Sequence, residues 1–260
     1  MSSKIIILIV LIICFYSAGL LATDHAESRQ PLTDIGEAFP LYSSVCSFVG
    51  DSDFGQVDKA EKVLDEWFDE SGTEIFRSRL VPLFRTGAKT YDYINLEADT
   101  FETFGKDWSR WTQQAKAKAI SEVLDSVSDC QSGVSAMYPM YRNDKQVNVI
   151  DERIVVVNWC SRKSGLSADQ MIAKHREFRN SIAEPEFIFW GIAHPILGFK
   201  KGDFPGDFYH LMVYPDMEAL ARRENISANE EGWRSEADYY DNFADCSGEI
   251  VFTESVRRWR

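Results

Sequence analysis

"NFADCSGEI", residues 242–250, closely resembles "SVSDCQSGV", residues 126–134, an earlier stretch of the same chain. In both stretches an Asp-Cys pair follows a polar run with helical character. A serine and a glycine then lead into a run typical of a β-strand. Self-similarity at a fixed spacing is the sequence signature of a repeated structural unit, so the two stretches suggest that one unit occurs twice.

The spacing of the cysteines supports a duplication. Cys46, in "YSSVCSF", matches Cys160, in "VVNWCSR", at an offset of 114 residues. Cys130 matches Cys246 at an offset of 116 residues. Offsets that stay this constant over most of the chain predict a tandem repeat with small insertions.

The predicted elements of each repeat follow the order strand, helix, strand, strand, helix, strand. In the second repeat the first helix begins at Ser167, and Gln170 completes a capping box. In the first repeat the second helical region runs from Phe101 to Val127, where apolar residues keep helical spacing. The order is that of a ferredoxin-like βαββαβ unit, so we predict an α+β fold with two such units in tandem, residues 41–145 and 150–260.

The cysteines are expected to form two disulfides. The first and last strands of a ferredoxin-like unit lie side by side, so a cysteine on the first strand can reach one just before the last. We predict the pairs Cys46–Cys130 and Cys160–Cys246. Four buried thiols are the alternative. A metal site is disfavoured because the chain has no CxxC or HxxxH spacing.

The amino terminus has the pattern of an export signal. Lys4 precedes a long apolar run, and polar residues resume at Thr23. We interpret residues 1–22 as a secretory signal peptide and residues 23–40 as a tether; an uncleaved membrane anchor is the alternative. Either interpretation places the folded part outside the cytoplasm, in the periplasm or as a secreted protein.

Composition limits the partners. The chain carries a formal net charge of −13, which disfavours nucleic acid and acidic membrane surfaces beyond the signal segment. Aromatic residues make up 13% of the chain, which favours substantial buried cores over disorder. No P-loop, dinucleotide fingerprint, nucleophile elbow or haem-binding signature is present in the sequence. The cofactor and the oligomeric state are therefore left unknown.

The repeated unit resembles a known superfamily. Together with the stretch "YPDMEALARR", residues 214–223, it is similar to the dimeric α+β barrels, which include antibiotic-biosynthesis-type monooxygenases, EthD-like proteins and chlorite-dismutase-like haem proteins. The resemblance covers most of residues 41–259. It implies that the two sheets pack as an intramolecular α+β barrel. It also implies a pocket beside the open face of a sheet for a small organic molecule or a haem.

The candidate catalytic residues lie in a hairpin of the second unit. A turn centred near Gly202 places His194 opposite His210, with Trp190 and Tyr214 on the same face. Two imidazoles beside aromatic rings can serve as a base and its orienting group, or as two metal ligands. The alternative is two histidines on a partly wet sheet face.

His175 is a further ligand-binding candidate, together with Trp190 and Tyr214. It lies on the apolar stripe of its helix, and Glu61 occupies the matching position of the first unit. A polar residue in both copies suggests a niche that faces something polar, although a satisfied or rim-exposed side chain would have the same pattern.

Two classes of function follow from these patterns. The first is an exported protein that binds or oxidises a small apolar or aromatic molecule in a pocket of the second unit. The second is a non-catalytic, disulfide-stabilised scaffold or protein-interaction module. The first unit contains no histidine and is expected to be structural. Whether the protein is an enzyme stays open at this stage.

Overall fold

The structure is a computed structural model that describes residues 36–84, 91–181, 184–198, 205–230 and 232–259. The predicted signal peptide and residues 23–35 of the tether lie outside the described residues. In the described ranges, no helix has the length and apolar character needed to cross a membrane. In chain order the elements are β1 (Phe39–Phe48), α1 (Phe54–Ser71), β2 (Phe76–Phe84), β3 (Tyr93–Ala98), α2 (Phe101–Gln113), α3 (Ala115–Asp125), β4 (Ser128–Arg142), α4 (Asp144–Val147), β5 (Glu152–Arg162), α5 (Ala168–Ser181), β6 (Phe189–Leu197), β7 (Phe208–Tyr214), α6 (Met217–Asn229), α7 (Trp233–Asn242) and β8 (Ala244–Arg258).

The strands of the described residues close into a barrel in the order β1-β3-β2-β8-β5-β7-β6-β4. Every neighbouring pair is antiparallel. The first four strands are arranged β4-β1-β3-β2 and the last four β8-β5-β7-β6, so the relative order is the same in both halves. The protein therefore has a mixed α+β fold built around a closed eight-stranded barrel.

The barrel interior is apolar. Successive side chains of a strand point to opposite faces of the sheet. On β7, for example, Tyr209, Leu211 and Val213 belong to the interior cluster, whereas His210, between Tyr209 and Leu211, faces outward. The interior cluster also contains Leu41, Leu80, Met137, Val155 and Phe252. His210 consequently lies on the outer face of the barrel.

Both predicted disulfides are present. Cys46 of β1 faces Cys130 of β4 across the antiparallel ladder, and Cys160 of β5 faces Cys246 of β8 in the same way. The closing strands begin earlier than predicted, so Cys130 and Cys246 lie within them and not just before them. Disulfides persist in oxidising compartments, so this protein is adapted to an oxidising, extracellular-type environment.

The helix boundaries partly follow the prediction. The capping box of α5 is formed, because Ser167 Oγ accepts from Gln170 N at 3.2 Å and Ser167 N donates to Gln170 Oε1 at 2.8 Å. The helical region predicted from Phe101 to Val127 consists of two helices that meet at Gln114, whose backbone is extended. The Gln114 side chain accepts a hydrogen bond from the Trp67 indole at 2.8 Å, a distant contact that stabilises the break.

Candidate functional site

A cavity of 320 Å³ lies in the first half of the chain, between the outer faces of β1, β2, β3 and β4 and the helices α1, α2 and α3. Its volume falls within the range of small-molecule sites, which are concave and mostly apolar with a few placed polar groups. The lining combines aromatic rings with charged side chains.

Two groups of aromatic rings form the apolar walls of the cavity. The Trp108 ring lies 5.4 Å from that of Tyr42 and 5.9 Å from that of Phe104, measured between centroids. On another part of the lining Trp67 and Trp111 meet edge to face at 5.0 Å. Walls of this kind offer extended π surfaces to a flat or aromatic ligand.

The sheet side of the cavity is charged. Arg77 projects outward from β2 and is only 2% exposed. Its Nε lies 3.1 Å from Glu97 Oε1, and its Nη2 lies 3.6 Å from Glu61 Oε2. Burial raises the pKa of Glu97, and the nearby Arg77 guanidinium opposes that shift. Glu97 is thus a cavity carboxyl that can accept hydrogen bonds or exchange a proton.

Hydroxyl and amide groups complete this polar floor. Ser44 and Ser132 lie on the neighbouring strands β1 and β4 and share a hydrogen bond of 2.8 Å. Tyr42 lies beside them, and burial raises the pKa of its hydroxyl. Asn95 Nδ2 donates to Glu61 Oε1 at 2.7 Å. The arrangement presents hydrogen-bonding groups beneath an aromatic wall.

A hydrogen-bond relay occupies the corresponding outer face of the second half. Trp190 Nε1 donates to His210 Nδ1 at 3.2 Å. The Tyr239 hydroxyl lies 3.0 Å from His210 Nε2 and 2.8 Å from His175 Nε2. An indole nitrogen only donates, so the proton of a neutral His210 resides on Nε2 and is donated to the Tyr239 oxygen. Tyr239 then donates its own proton to His175 Nε2.

Burial favours the neutral form of both imidazoles. Burial lowers the pKa of His210 to about 4, with a smaller contribution from His194. Burial also lowers the pKa of His175 well below its ordinary value, and His210 adds to the effect. A neutral pair fits the directional order of donors and acceptors set by Trp190.

The predicted register of the histidine hairpin is wrong. His210 faces Ile192, not His194, and the ladder ends at the pair Ala193–Tyr209. The ladder stops where Pro195, which has no backbone N–H, follows His194. His194 is exposed on the same outer face, and the Phe208 ring contacts both imidazoles at 5.7 and 5.5 Å. The two histidines do not form an opposed dyad, and their catalytic role stays a prediction.

In the second half, the side chains predicted to form the pocket walls pack against other aromatic rings. They do not line a cavity like that of the first half. Trp190 and Tyr214 are 2% and 0% exposed. The Phe187 ring lies 6.2 Å from each of them, and Phe178 meets Trp190 at 5.4 Å. These side chains fill the space between the sheet and α5, whereas the cavity lies in the first half, which the sequence had suggested was merely structural.

The match between His175 and Glu61 corresponds to a real structural position. Both are buried, and each makes polar contacts at the outer face of the sheet in its own half. Sequence reasoning missed Tyr239, which joins the two histidines, and the cavity itself. One available signal was Arg77 and Arg79, whose alternation along the otherwise apolar stretch "FRSRLVPLF" indicates a charged outer face.

The histidine nitrogens of the relay are already engaged by protein groups, which bears on the binding of a haem or a metal ion. His175 and His210 both direct Nε2 to Tyr239, and His210 Nδ1 is occupied by Trp190. The described lining of the first-half cavity contains no histidine. Among the described residues, no cluster of three or more His, Cys, Asp or Glu side chains is suited to a metal ion. These residues do not fit a haem with a proximal histidine.

Comparison with known proteins shows the fold. No protein-family model matches the chain, and no curated protein matches it in sequence. Among solved structures, a "putative monooxygenase" from Lactobacillus acidophilus NCFM is 12% identical with a TM-score of 0.52, covering 85% of this chain and 94% of that one. An anthrone oxidase-like protein is 10% identical with a TM-score of 0.49, covering 86% and 92%. A dye-decolorizing peroxidase from Bacteroides thetaiotaomicron VPI-5482 is 10% identical with a TM-score of 0.49, covering 85% and 94%. The chain thus has the fold of the dimeric α+β barrel superfamily.

Proposed function

We propose that this dimeric α+β barrel protein binds a small aromatic molecule with polar substituents in the first-half cavity. The observation that carries the proposal is the 320 Å³ cavity, in which tryptophan rings lie beside a charged floor. Apolar walls supply affinity, and a few convergent polar groups fix the orientation of a ligand.

The energetics of the floor support a role beyond folding. Arg77 and Glu61 are 2% and 4% exposed. Burial of ionised groups costs free energy that their mutual attraction only partly offsets, and apolar replacements of such clusters are often equally stable or more so. A charged cluster beside a cavity is therefore better explained by ligand recognition than by stability.

Two measurements test the proposal. Native mass spectrometry of the purified protein should detect a co-purified small molecule, or the protein should bind the fluorescent dye N-phenylnaphthylamine. Ser121→Phe places a ring inside the cavity and should abolish dye binding, because Ser121 lines it from α3. Ser109→Phe, at an exposed position of α2, is the matched control and should leave dye binding intact. Equal dye binding by the two variants would contradict the proposal.

Oxidation of the bound molecule is the second candidate function. What favours it is the fold shared with the Lactobacillus acidophilus protein that is described as a monooxygenase. Oxygen uptake with a bound phenol tests it. If the cavity binds neither the dye nor a co-purified molecule, the alternative of a disulfide-stabilised scaffold or protein-interaction module is favoured instead.

Several finer assignments belong to the same proposal. The protein is exported to the periplasm or secreted, with residues 1–22 as its signal peptide, and the two disulfides support this. Residues 41–145 and 150–260 are two tandem ferredoxin-like units, which the equal strand order of the two halves supports. The histidine relay of the second unit is assigned a supporting role in stability.

A further inference from the structure

We infer that the ligand of the first-half cavity is an organic cation, namely an amine that is protonated at neutral pH and carries an aromatic or apolar body. This inference rests on the proposed function, since it names the chemical class that the same cavity takes. Three independent features of the lining support it: its charge, its unpaired acceptors and its tryptophan rings.

The charge of the lining is strongly asymmetric. One basic side chain, Arg77, lines the cavity among its described residues, and it already forms ion pairs with Glu61, Asp65 and Glu97. An anionic ligand would meet a guanidinium that is fully paired, surrounded by acidic side chains. The acidic lining residues are Glu61, Glu97, Asp99, Asp107 and Asp125.

Two lining residues, Asn95 and Asp107, each carry a buried oxygen that has no hydrogen-bond donor among the described residues. Asn95 Oδ1 and Asp107 Oδ2 are shielded from solvent and accept no hydrogen bond from a described residue. The orientation of the Asn95 amide follows from chemistry: its Nδ2 donates to Glu61, and a carboxylate cannot donate in return. Both unpaired atoms are acceptors, so they match the N–H groups of an ammonium and not the oxygens of a carboxylate or phosphate.

The aromatic walls fit the same ligand. Trp67, Trp108 and Trp111 line the cavity, and the indole face attracts cations more strongly than other aromatic side chains do. An ammonium that leaves water must be compensated by charge and hydrogen bonds. Carboxylates, unpaired acceptors and indole rings provide that compensation together, whereas a neutral ligand would gain neither the ion pairing nor the cation–π attraction.

Cation binding caused by the net charge of the whole chain has to be distinguished from cation binding by the carboxylates that line the cavity. A chain with a net charge of −13 attracts cations to any part of its surface, weakly and in a salt-dependent manner. Variants that each remove one carboxylate, inside or outside the cavity, distinguish the two. Glu97→Gln and Asp107→Asn act inside it, and Glu122→Gln removes an exposed carboxylate of α3 that is not part of the lining.

Three probes with one phenyl ring and different head groups provide the test: phenethylamine, phenethyl alcohol and phenylacetate. Their affinities are measured at neutral pH by calorimetry and by displacement of N-phenylnaphthylamine. We expect phenethylamine to bind at least about tenfold more tightly than phenethyl alcohol, and phenylacetate to bind most weakly. Glu97→Gln and Asp107→Asn should each weaken phenethylamine about fivefold while leaving phenethyl alcohol within about twofold. Glu122→Gln should change neither.

The outcomes separate this inference from the proposed function. If phenethyl alcohol or phenylacetate binds as tightly as phenethylamine while the dye still occupies the cavity, the cation assignment is overturned and the proposed function stands. If Glu122→Gln weakens phenethylamine as much as Glu97→Gln does, the attraction is diffuse and the assignment is likewise overturned. If neither the dye nor any probe binds, both statements fail. Circular dichroism spectra that match those of the native protein show that Glu97→Gln and Asp107→Asn are folded.

Discussion

At the scale of single residues, Tyr239 connects the two buried imidazoles of the second half. Its hydroxyl joins two neutral imidazoles that lie 64 and 29 residues away in the chain. A tyrosine hydroxyl can accept one proton and donate another, which the relay requires. Among the described residues, Tyr239 is the hydrogen-bond partner of Nε2 in both His175 and His210, so loss of its hydroxyl oxygen leaves both nitrogens unpaired.

Tyr239→Phe is expected to lower the free energy of unfolding by about 1–3 kcal/mol, the cost of leaving buried polar groups unpaired. Urea denaturation measures the change. Tyr240→Phe is the matched control, since Tyr240 is 39% exposed and its hydroxyl lies 3.4 Å from Asn158 Nδ2. Similar losses for the two variants would contradict the relay.

The neutral state of His210 predicts a pH dependence of stability. Its pKa in the folded protein is about 4, below the ordinary value of 6.5, so the unfolded chain takes up the proton first as the pH falls. Stability is full above pH 6.5 and is lost as the pH falls toward 4, by up to about 1.4 kcal/mol per pH unit for this group. Urea denaturation of the native protein and of His210→Gln at several pH values isolates the contribution of His210 to this pH dependence. The loss should be smaller in the variant, and equal losses would argue against a neutral His210.

At the scale of elements, sequence patterns correctly predicted the features that depend on residues close together in the chain. The Ser167 capping box depends on residues close in sequence, and it was predicted correctly. The histidine hairpin was misaligned because a period of two fixes which side chains share a face but not where the turn lies. The break at Gln114 depends on Trp67, 47 residues away, so helical spacing alone could not show it.

The two disulfides join corresponding strands of the two halves, β1 to β4 and β5 to β8, but only the first disulfide lines the aromatic cavity. They close loops of similar length, with sequence separations of 84 and 86, so the chain-entropy model assigns each roughly 4 kcal/mol. Cys46 and Cys130 line the cavity, whereas Cys160 and Cys246 lie in the other half.

Replacing either pair by serines should therefore lower stability by a similar amount. Binding of N-phenylnaphthylamine, measured at a temperature where both variants are folded, should weaken only when Cys46 and Cys130 are replaced. Weaker binding in the Cys160→Ser and Cys246→Ser variant alone would contradict the first-half assignment. The second pair is thus the matched control for the first.

At the scale of the whole molecule, one closed barrel carries two outer faces that differ in content. In the first half Asn95 faces Ser44, which lies two residues before the disulfide-bonded Cys46. In the second half His210 faces Asn158, which lies two residues before the disulfide-bonded Cys160. At these equivalent places the first half has a cavity with ion pairs and the second has a relay packed among rings. The sequence predicted matching positions, including Glu61 for His175, but not which half would have the cavity with aromatic walls and ion pairs. That outcome depends on side chains from seven elements.

The most direct test of the central claim is a crystal structure of the protein grown with N-phenylnaphthylamine. The account predicts electron density for the dye in the first half, against Trp108 and above Glu97, with the relay of the second half unchanged. Density beside His210 and Trp190, with the first-half cavity holding no dye, would contradict it.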